Sequence, residues 1–173
     1  MKGKNLERAV ILGLLLSTGV YGTAWAEDYS GEQTEGITVN QGANDSHTVN
    51  GDVNFTLGDT AWITNNGGNL TITGGEGSSL DVNTSSNKII NSYGGSNIIN
   101  VQGDISLIAN NTANNSVYGL YNEFGDIAIE SKGNIKIDVT VKNNNTNLKP
   151  VSAALYNSNV LGETQIKKII ILL

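Results

Sequence analysis

The chain has no cysteine, one proline and one histidine among its 173 residues, and its lone arginine is Arg8. Without cysteine, disulfides, thiol chemistry, iron–sulfur clusters and cysteine-ligated zinc are all excluded. Cations are scarce as well. Ten Lys and Arg stand against 16 Asp and Glu, a formal net charge of -6, and charged residues make up only 15% of the chain. From residue 27 to residue 87 there is no Lys or Arg at all. Such a chain repels phosphate and offers no basic patch to release counterions, which argues against nucleic acid as a partner. Strong helix formers are also under-used, since 25 Asn and 21 Gly favour turns and corners instead. Yet 38% apolar residues is too much for a disordered acidic tail. What is left is a polar, β-rich chain of single-domain size.

Residues 1–26 have the pattern of a cleavable signal peptide. Lys2, Lys4 and Arg8 form a basic start, residues 9–16 an apolar core, and Ala24-Trp25-Ala26 a small-residue cleavage site. The apolar run falls short of the roughly 20 residues that a membrane-spanning helix needs. Removing the segment takes away three cations and one anion, which moves the formal charge from -6 to -8. Residues 27–173 then form the mature domain, and an exported chain without cysteine must rely on packing and backbone hydrogen bonds.

One phrase recurs through that domain: Gly, then Asp or Asn, then an aliphatic, any residue and another apolar. It appears as Gly51-Asp52-Val53-Asn54-Phe55, Gly68-Asn69-Leu70-Thr71-Ile72 and Gly103-Asp104-Ile105-Ser106-Leu107. It returns as Gly125-Asp126-Ile127-Ala128-Ile129 and Gly133-Asn134-Ile135-Lys136-Ile137, with a looser copy from Gly162 to Ile166. A turn residue followed by period-two alternation is the signature of a half-buried strand. The longest alternation puts Ile135, Ile137, Val139 and Val141 on one face and Lys136, Asp138, Thr140 and Lys142 on the other. A second echo, Tyr118-Gly119-Leu120-Tyr121-Asn122 against Ala153-Ala154-Leu155-Tyr156-Asn157, points to an internal repeat. Asn and Gly clusters between the phrases suit corners, where stacked Asn side chains form ladders. These features predict a parallel β-solenoid. At about 22 residues per coil and about 4.8 Å per coil, the mature chain would build about six coils. A β-sandwich is the alternative.

With its signal segment, Cys-free Asn/Gly/Thr-rich repeats and Gly-Asp-Ile-x-Ile phrases, the chain resembles the passenger region of bacterial autotransporters, the type V secreted surface proteins. The resemblance spans roughly residues 36–171 and implies a right-handed parallel β-helix at a Gram-negative cell surface or outside the cell. The family's C-terminal outer-membrane barrel has no counterpart here, because the chain ends in Lys167-Lys168-Ile169-Ile170-Ile171-Leu172-Leu173. A passenger truncated before its barrel, or standing alone and periplasmic if no barrel is supplied, is therefore expected. An uncapped last rung would leave a C-terminal edge open to self-association.

Candidate sites are few. His47 lies in Asn44-Asp45-Ser46-His47, which suggests an exposed turn and no catalytic role. Neither a Gly-x-Ser-x-Gly elbow nor the Gly-Asp-Ser-Gly string of the family's serine proteases occurs. The stretch Gly74-Gly75-Glu76-Gly77-Ser78-Ser79-Leu80-Asp81 approaches a calcium-binding nonapeptide, but Ser79 occupies the Asp ligand position, and a Gly-rich corner is expected. Asp104 and Asp126 follow the same turn glycine and could stack on adjacent coils as a carboxylate pair, although without arginine there is no anion clamp beside them. Capping of corners is the simpler role. The Asn-x-Thr/Ser strings at Asn54, Asn69 and Asn83 follow from composition. No catalytic, cofactor or metal site is expected.

The functional expectation is a non-enzymatic surface adhesin whose polar faces and loops meet a host or neighbouring-cell ligand after export through the secretion machinery. A carbohydrate-active enzyme on the same fold and a structural matrix protein are the rivals. Export is tested first: protein recovered from an expressing Gram-negative host should begin at Glu27. Recovery of nothing but full-length cytosolic chain would contradict the leader assignment.

Overall fold

The computed structural model describes residues 25–112, 116–141, 152–157 and 164–172, with Asn157 and the last nine given by their backbone only. Residues 1–24 of the leader, the asparagine clusters at 114–115 and 143–145, and Gly162 lie outside the described residues. The described chain is all β, a parallel solenoid of about four turns. β1 (Ala26–Gln33) lies over a first coil made of β2 (Ile37–Val39) and β3 (Asn44–Leu57). The second coil is β4 (Ile63–Asn65), β5 (Asn69–Gly74) and β6 (Ser79–Thr84). A third follows as β7 (Lys88–Ser92), β8 (Ser96–Val101) and β9 (Ile105–Asn111). The fourth is β10 (Val117–Asn122) and β11 (Asp126–Val141), and β12 (Ser152–Asn157) and β13 (Thr164–Leu172) stack beneath it.

Each coil has three legs. One lies in a narrow sheet, ordered β12-β10-β7-β4-β2, and two lie in a wide sheet. β3 is long enough to serve both wide-sheet legs, pairing with β5 through Asn44 to Val49 and with β6 through Asp52 to Leu57. β11 does the same against β8 and β9. Every pairing is parallel, which excludes the sandwich. The repeated phrases open wide-sheet legs: Asn69 starts β5 and Asp126 starts β11, while Gly51 and Gly133 sit where β3 and β11 bend between legs.

The coils are longer than expected. Ile37, Ile63, Ile90, Leu120 and Leu155 stand in register, so successive coils advance by 26, 27, 30 and 35 residues. Three legs plus lengthening connections consume the residues that the shorter estimate would have spent on two more coils.

The core is a set of columns running along the solenoid. Val53, Leu80, Ile105 and Ile135 form one, and Phe55, Val82, Leu107 and Ile137 the next, all buried. Burying each such side chain contributes about 1.5–3 kcal/mol. Phe55 extends its column sideways, meeting Tyr29 edge-on at 5.1 Å and Trp62 at 5.7 Å between ring centroids.

The corner between the narrow and wide sheets is built from Asn and Gly. Buried Asn65 accepts the N–H groups of Gly67 and Gly68 on Oδ1, both at 2.9 Å, and donates from Nδ2 to the Gly68 carbonyl at 3.1 Å. One coil on, Ser92 takes the equivalent position, and Asn97 bridges the two by accepting from Asn65 and donating to Ser92 Oγ, each at 3.0 Å. Asn122 follows and donates to the Gly125 carbonyl at 2.8 Å. The glycines stack as tightly. Gly95 has φ 72° and Gly125 φ 103°, and a Cβ on either would strike the backbone of the glycine one coil earlier.

Ile137 and Lys136 test the assignment of faces. Ile137 is fully buried, whereas Lys136 is half-buried and pairs with Asp138 at 3.3 Å. Ile137→Asp should cost about 3–5 kcal/mol by placing an unpaired charge in the column, whereas Lys136→Asp should cost under about 1 kcal/mol. Denaturant unfolding of both variants checks this, and equal tolerance would mean that the faces are wrongly assigned.

Candidate functional site

The residues singled out from the sequence are scattered. Gly75, Glu76 and Gly77 form a tight corner between β5 and β6, where Ser78 Oγ donates to the Gly75 carbonyl at 2.5 Å and Ser79 Oγ to Asp52 Oδ1 at 2.6 Å. Among the described residues, no three His, Cys, Asp or Glu side chains are placed to hold a cation together. Asp104 and Asp126 do not stack on one another. Asp104 precedes the second wide-sheet leg of its coil and accepts the Asn134 N–H at 2.7 Å, while Asp126 opens the first leg and stands in register with Ser96. The shared turn glycine thus marks two different corners, which the sequence pattern alone cannot tell apart. Asn54, Asn69 and Asn83 lie within strands on outward positions.

The outer face of the narrow sheet carries a different chemistry. Tyr118 and Tyr121 project outward from β10, in register with Lys88 and Asn91 of β7 and with Ala153 and Tyr156 of β12. Tyr93, just past β7, joins them. Four of the six tyrosines therefore converge on three neighbouring rungs. Tyr121 and Tyr156 stack face to face, with centroids 4.9 Å apart and planes 6° from parallel. Tyr118 leans against both at 5.6 and 5.1 Å, and Tyr93 approaches Tyr121 edge-on at 6.5 Å. The Lys88 ammonium covers the Tyr121 ring at 3.7 Å from its centroid and donates to Asn91 Oδ1 at 3.1 Å. Burial, then the nearby Glu123 carboxylate, raises the pKa of the Tyr121 phenol and keeps it neutral.

The ends of the cluster face solvent. Tyr93 is 45% exposed, Tyr156 40%, and Phe124 at the adjoining corner 59%. The first two rungs of the same face carry only Thr38 and Thr64 at the corresponding outward position. Sequence reasoning did not pick out this cluster, although one signal was present. The Leu-Tyr-Asn echo is the register itself: Leu120 pairs with Leu155, Tyr121 with Tyr156 and Asn122 with Asn157.

His47 is a correction. It lies in β3, not in an exposed turn, and points inward in the column of Ile72, Ile99 and Ile129, only 4% exposed. Its ring sits 5.3 Å from that of Tyr29, and neither nitrogen reaches hydrogen-bonding geometry with a described residue. Asp45, also buried, precedes it on the same face and accepts the Trp25 N–H at 3.2 Å, while Glu27 of β1 stands in register above. Burial lowers the His47 pKa, and Asp45 and Glu27 only partly oppose that shift.

A lowered folded-state value means that the unfolded chain takes up the proton first. The stability linked to neutral His47 is complete above the ordinary value of 6.5 and is lost as pH falls toward the lower folded value. Melting temperature should therefore drop as pH falls below the ordinary value of 6.5, and His47→Leu, which extends the aliphatic column, should flatten that drop. Parallel pH profiles of both chains would show the burial argument to be wrong. The chain matches no family model, no curated protein and no solved structure.

Proposed function

We propose that the chain is a non-enzymatic attachment scaffold of the autotransporter-adhesin kind, exported and displayed outside the cell, with the tyrosine face of the narrow sheet as its contact surface. The observation that carries this reading is the convergence of Tyr93, Tyr118, Tyr121 and Tyr156 on three adjacent rungs. Tyrosine supplies broad contact area at little conformational cost and is enriched where proteins bind one another or other ligands. The parallel sheet beneath holds the rings at a spacing of about 4.8 Å, so little ordering entropy remains to be lost on contact.

The other outward faces are of different character. Thr71, Thr73, Asn83, Asn100 and Ser106 populate most of the wide sheet, small polar groups well suited to staying hydrated, and Ile98 is an isolated apolar exception beside Thr71. The catalytic alternative needs paired carboxylates or a carboxylate set against a cation. Asp104 is instead engaged with the backbone of Asn134, which favours a capping role.

Attachment of beads coated with the purified exported chain to cultured epithelial and bacterial cells tests the reading. Joint replacement Tyr93→Ala and Tyr156→Ala should reduce attachment at least tenfold, equivalent to about 1.4 kcal/mol. The pair Thr73→Ala and Asn83→Ala on the wide sheet should leave it unchanged. Equal loss in the two pairs, or no attachment above a bare-bead control, would overturn the assignment.

A further inference from the structure

We infer that the tyrosine face is a binding site for a neutral oligosaccharide laid along the solenoid axis, an inference that rests on the attachment reading and names the ligand class of that same surface.

Charge narrows the choice first. The chain is acidic overall, yet among the described residues around the rings one cation, Lys88, is set against one carboxylate, Glu123. Lys88 is already engaged by the Tyr121 ring and the Asn91 amide oxygen. The next described lysines, Lys132 and Lys136, belong to β11 in the wide sheet and do not join it. A sulfated or uronate polymer, which binds through several available cations, finds none grouped here among the described residues. A cationic ligand would be drawn instead to the first rungs, where Glu27, Asp28, Glu32 and Glu35 occur with no lysine between residues 27 and 87.

Shape and chemistry narrow it further. An apolar peptide helix or strand needs a recessed apolar groove or an open sheet edge. Here the rings stand on the face of the sheet and point away from its ladder, with β7 paired by β4 and β10, β10 by β7 and β12, and β12 at the end of the described sheet. Beside the rings lie an amide and an ammonium, from Asn91 and Lys88, with the Glu123 carboxylate near enough to act on Tyr121. A sugar presents the same alternation, with C–H faces that pack on an aromatic ring and a rim of hydroxyls for polar groups.

The arrangement also assigns roles. Tyr121 is enclosed between Lys88 and Tyr156, so it supports the stack and positions its neighbours. Tyr93 and Tyr156 are the exposed tyrosines of the cluster, on the third and fifth rungs, separated by two rung spacings or about 10 Å along the axis. A short run of linked sugar rings spans that interval, and Phe124 flanks it at the corner.

Affinity electrophoresis of the full exported chain through gels holding dextran, mannan, galactan, heparin or polygalacturonate tests the proposal. Retardation by at least one neutral polymer, unchanged by added salt, is expected. Tyr93→Ala with Tyr156→Ala should weaken it at least tenfold, whereas Tyr93→Trp with Tyr156→Trp should preserve it, a rescue that a folding defect would not produce. No retardation by any neutral polymer, or retardation only by heparin or polygalacturonate that salt abolishes, overturns the inference.

The bead assay separates this failure from that of the attachment reading. Tyrosine-dependent attachment that resists periodate treatment of the cells and excess neutral polysaccharide, but is lost on protease treatment, retains the attachment surface and rejects the glycan. Retardation by a neutral polymer without cell attachment does the reverse.

Discussion

The parallel register of one coil on the next is the constraint from which the other features of this molecule follow. Each inward column, such as Phe55, Val82, Leu107 and Ile137, exists because the hydrogen-bonded ladders hold equivalent positions about 4.8 Å apart. A slip of one residue would turn every aliphatic outward and every Thr, Asn and Asp inward. The corners guard against that slip. Asn65, Ser92 and Asn122 stand in line at the end of the narrow sheet, and Gly95 and Gly125 approach the preceding coil so closely that no side chain fits. Polar groups inside the corner are acceptable because they bond to one another and to turn backbone, leaving little desolvation uncompensated.

Register also explains how the coils tolerate unequal length. The advance grows from 26 to 35 residues without disturbing the column of Ile37, Ile63, Ile90, Leu120 and Leu155. Extra residues enter at connections between legs, where chain can leave the ladder without breaking it. The outward positions are freer still. The core does not dictate what stands there, so four tyrosines can gather on one face while the wide sheet carries mostly polar groups, with Ile98 among them. That freedom makes an aromatic cluster informative about binding, since nothing in the packing of the solenoid requires it.

The first coil shows the opposite situation, in which inward positions carry polar groups. Asp45 and His47 take places that Leu70 and Ile72 fill one coil later, with Glu27 of β1 stacked over His47 and the Tyr29 ring packed beside it. The hydrophobic columns therefore give way to a partly polar layer at this end. Its cost is the desolvation of an imidazole whose nitrogens have no described partner, which is why burial dominates the titration of His47.

Much of this was contained in the sequence. Alternation in Ile135, Ile137 and Val139 against Lys136 and Asp138 is a local consequence of extended backbone, so strand faces could be assigned residue by residue. The recurrence of Gly-Asp/Asn-aliphatic phrases called for stacked coils for the same local reason: turns and strands leave their marks within five residues. Coil length, three-legged section and the separation of Asp104 from Asp126 were not available, because one phrase opens two different corners and only pairing distinguishes them. His47 was misplaced for a related reason, since its neighbours Asn44, Asp45 and Ser46 favour turns locally while the ladder with β1 and β5 draws the segment into a strand. The tyrosine face was the least visible of all. Tyr93, Tyr121 and Tyr156 are separated by 28 and 35 residues along the chain, and only the ladder of narrow-sheet hydrogen bonds brings their rings side by side.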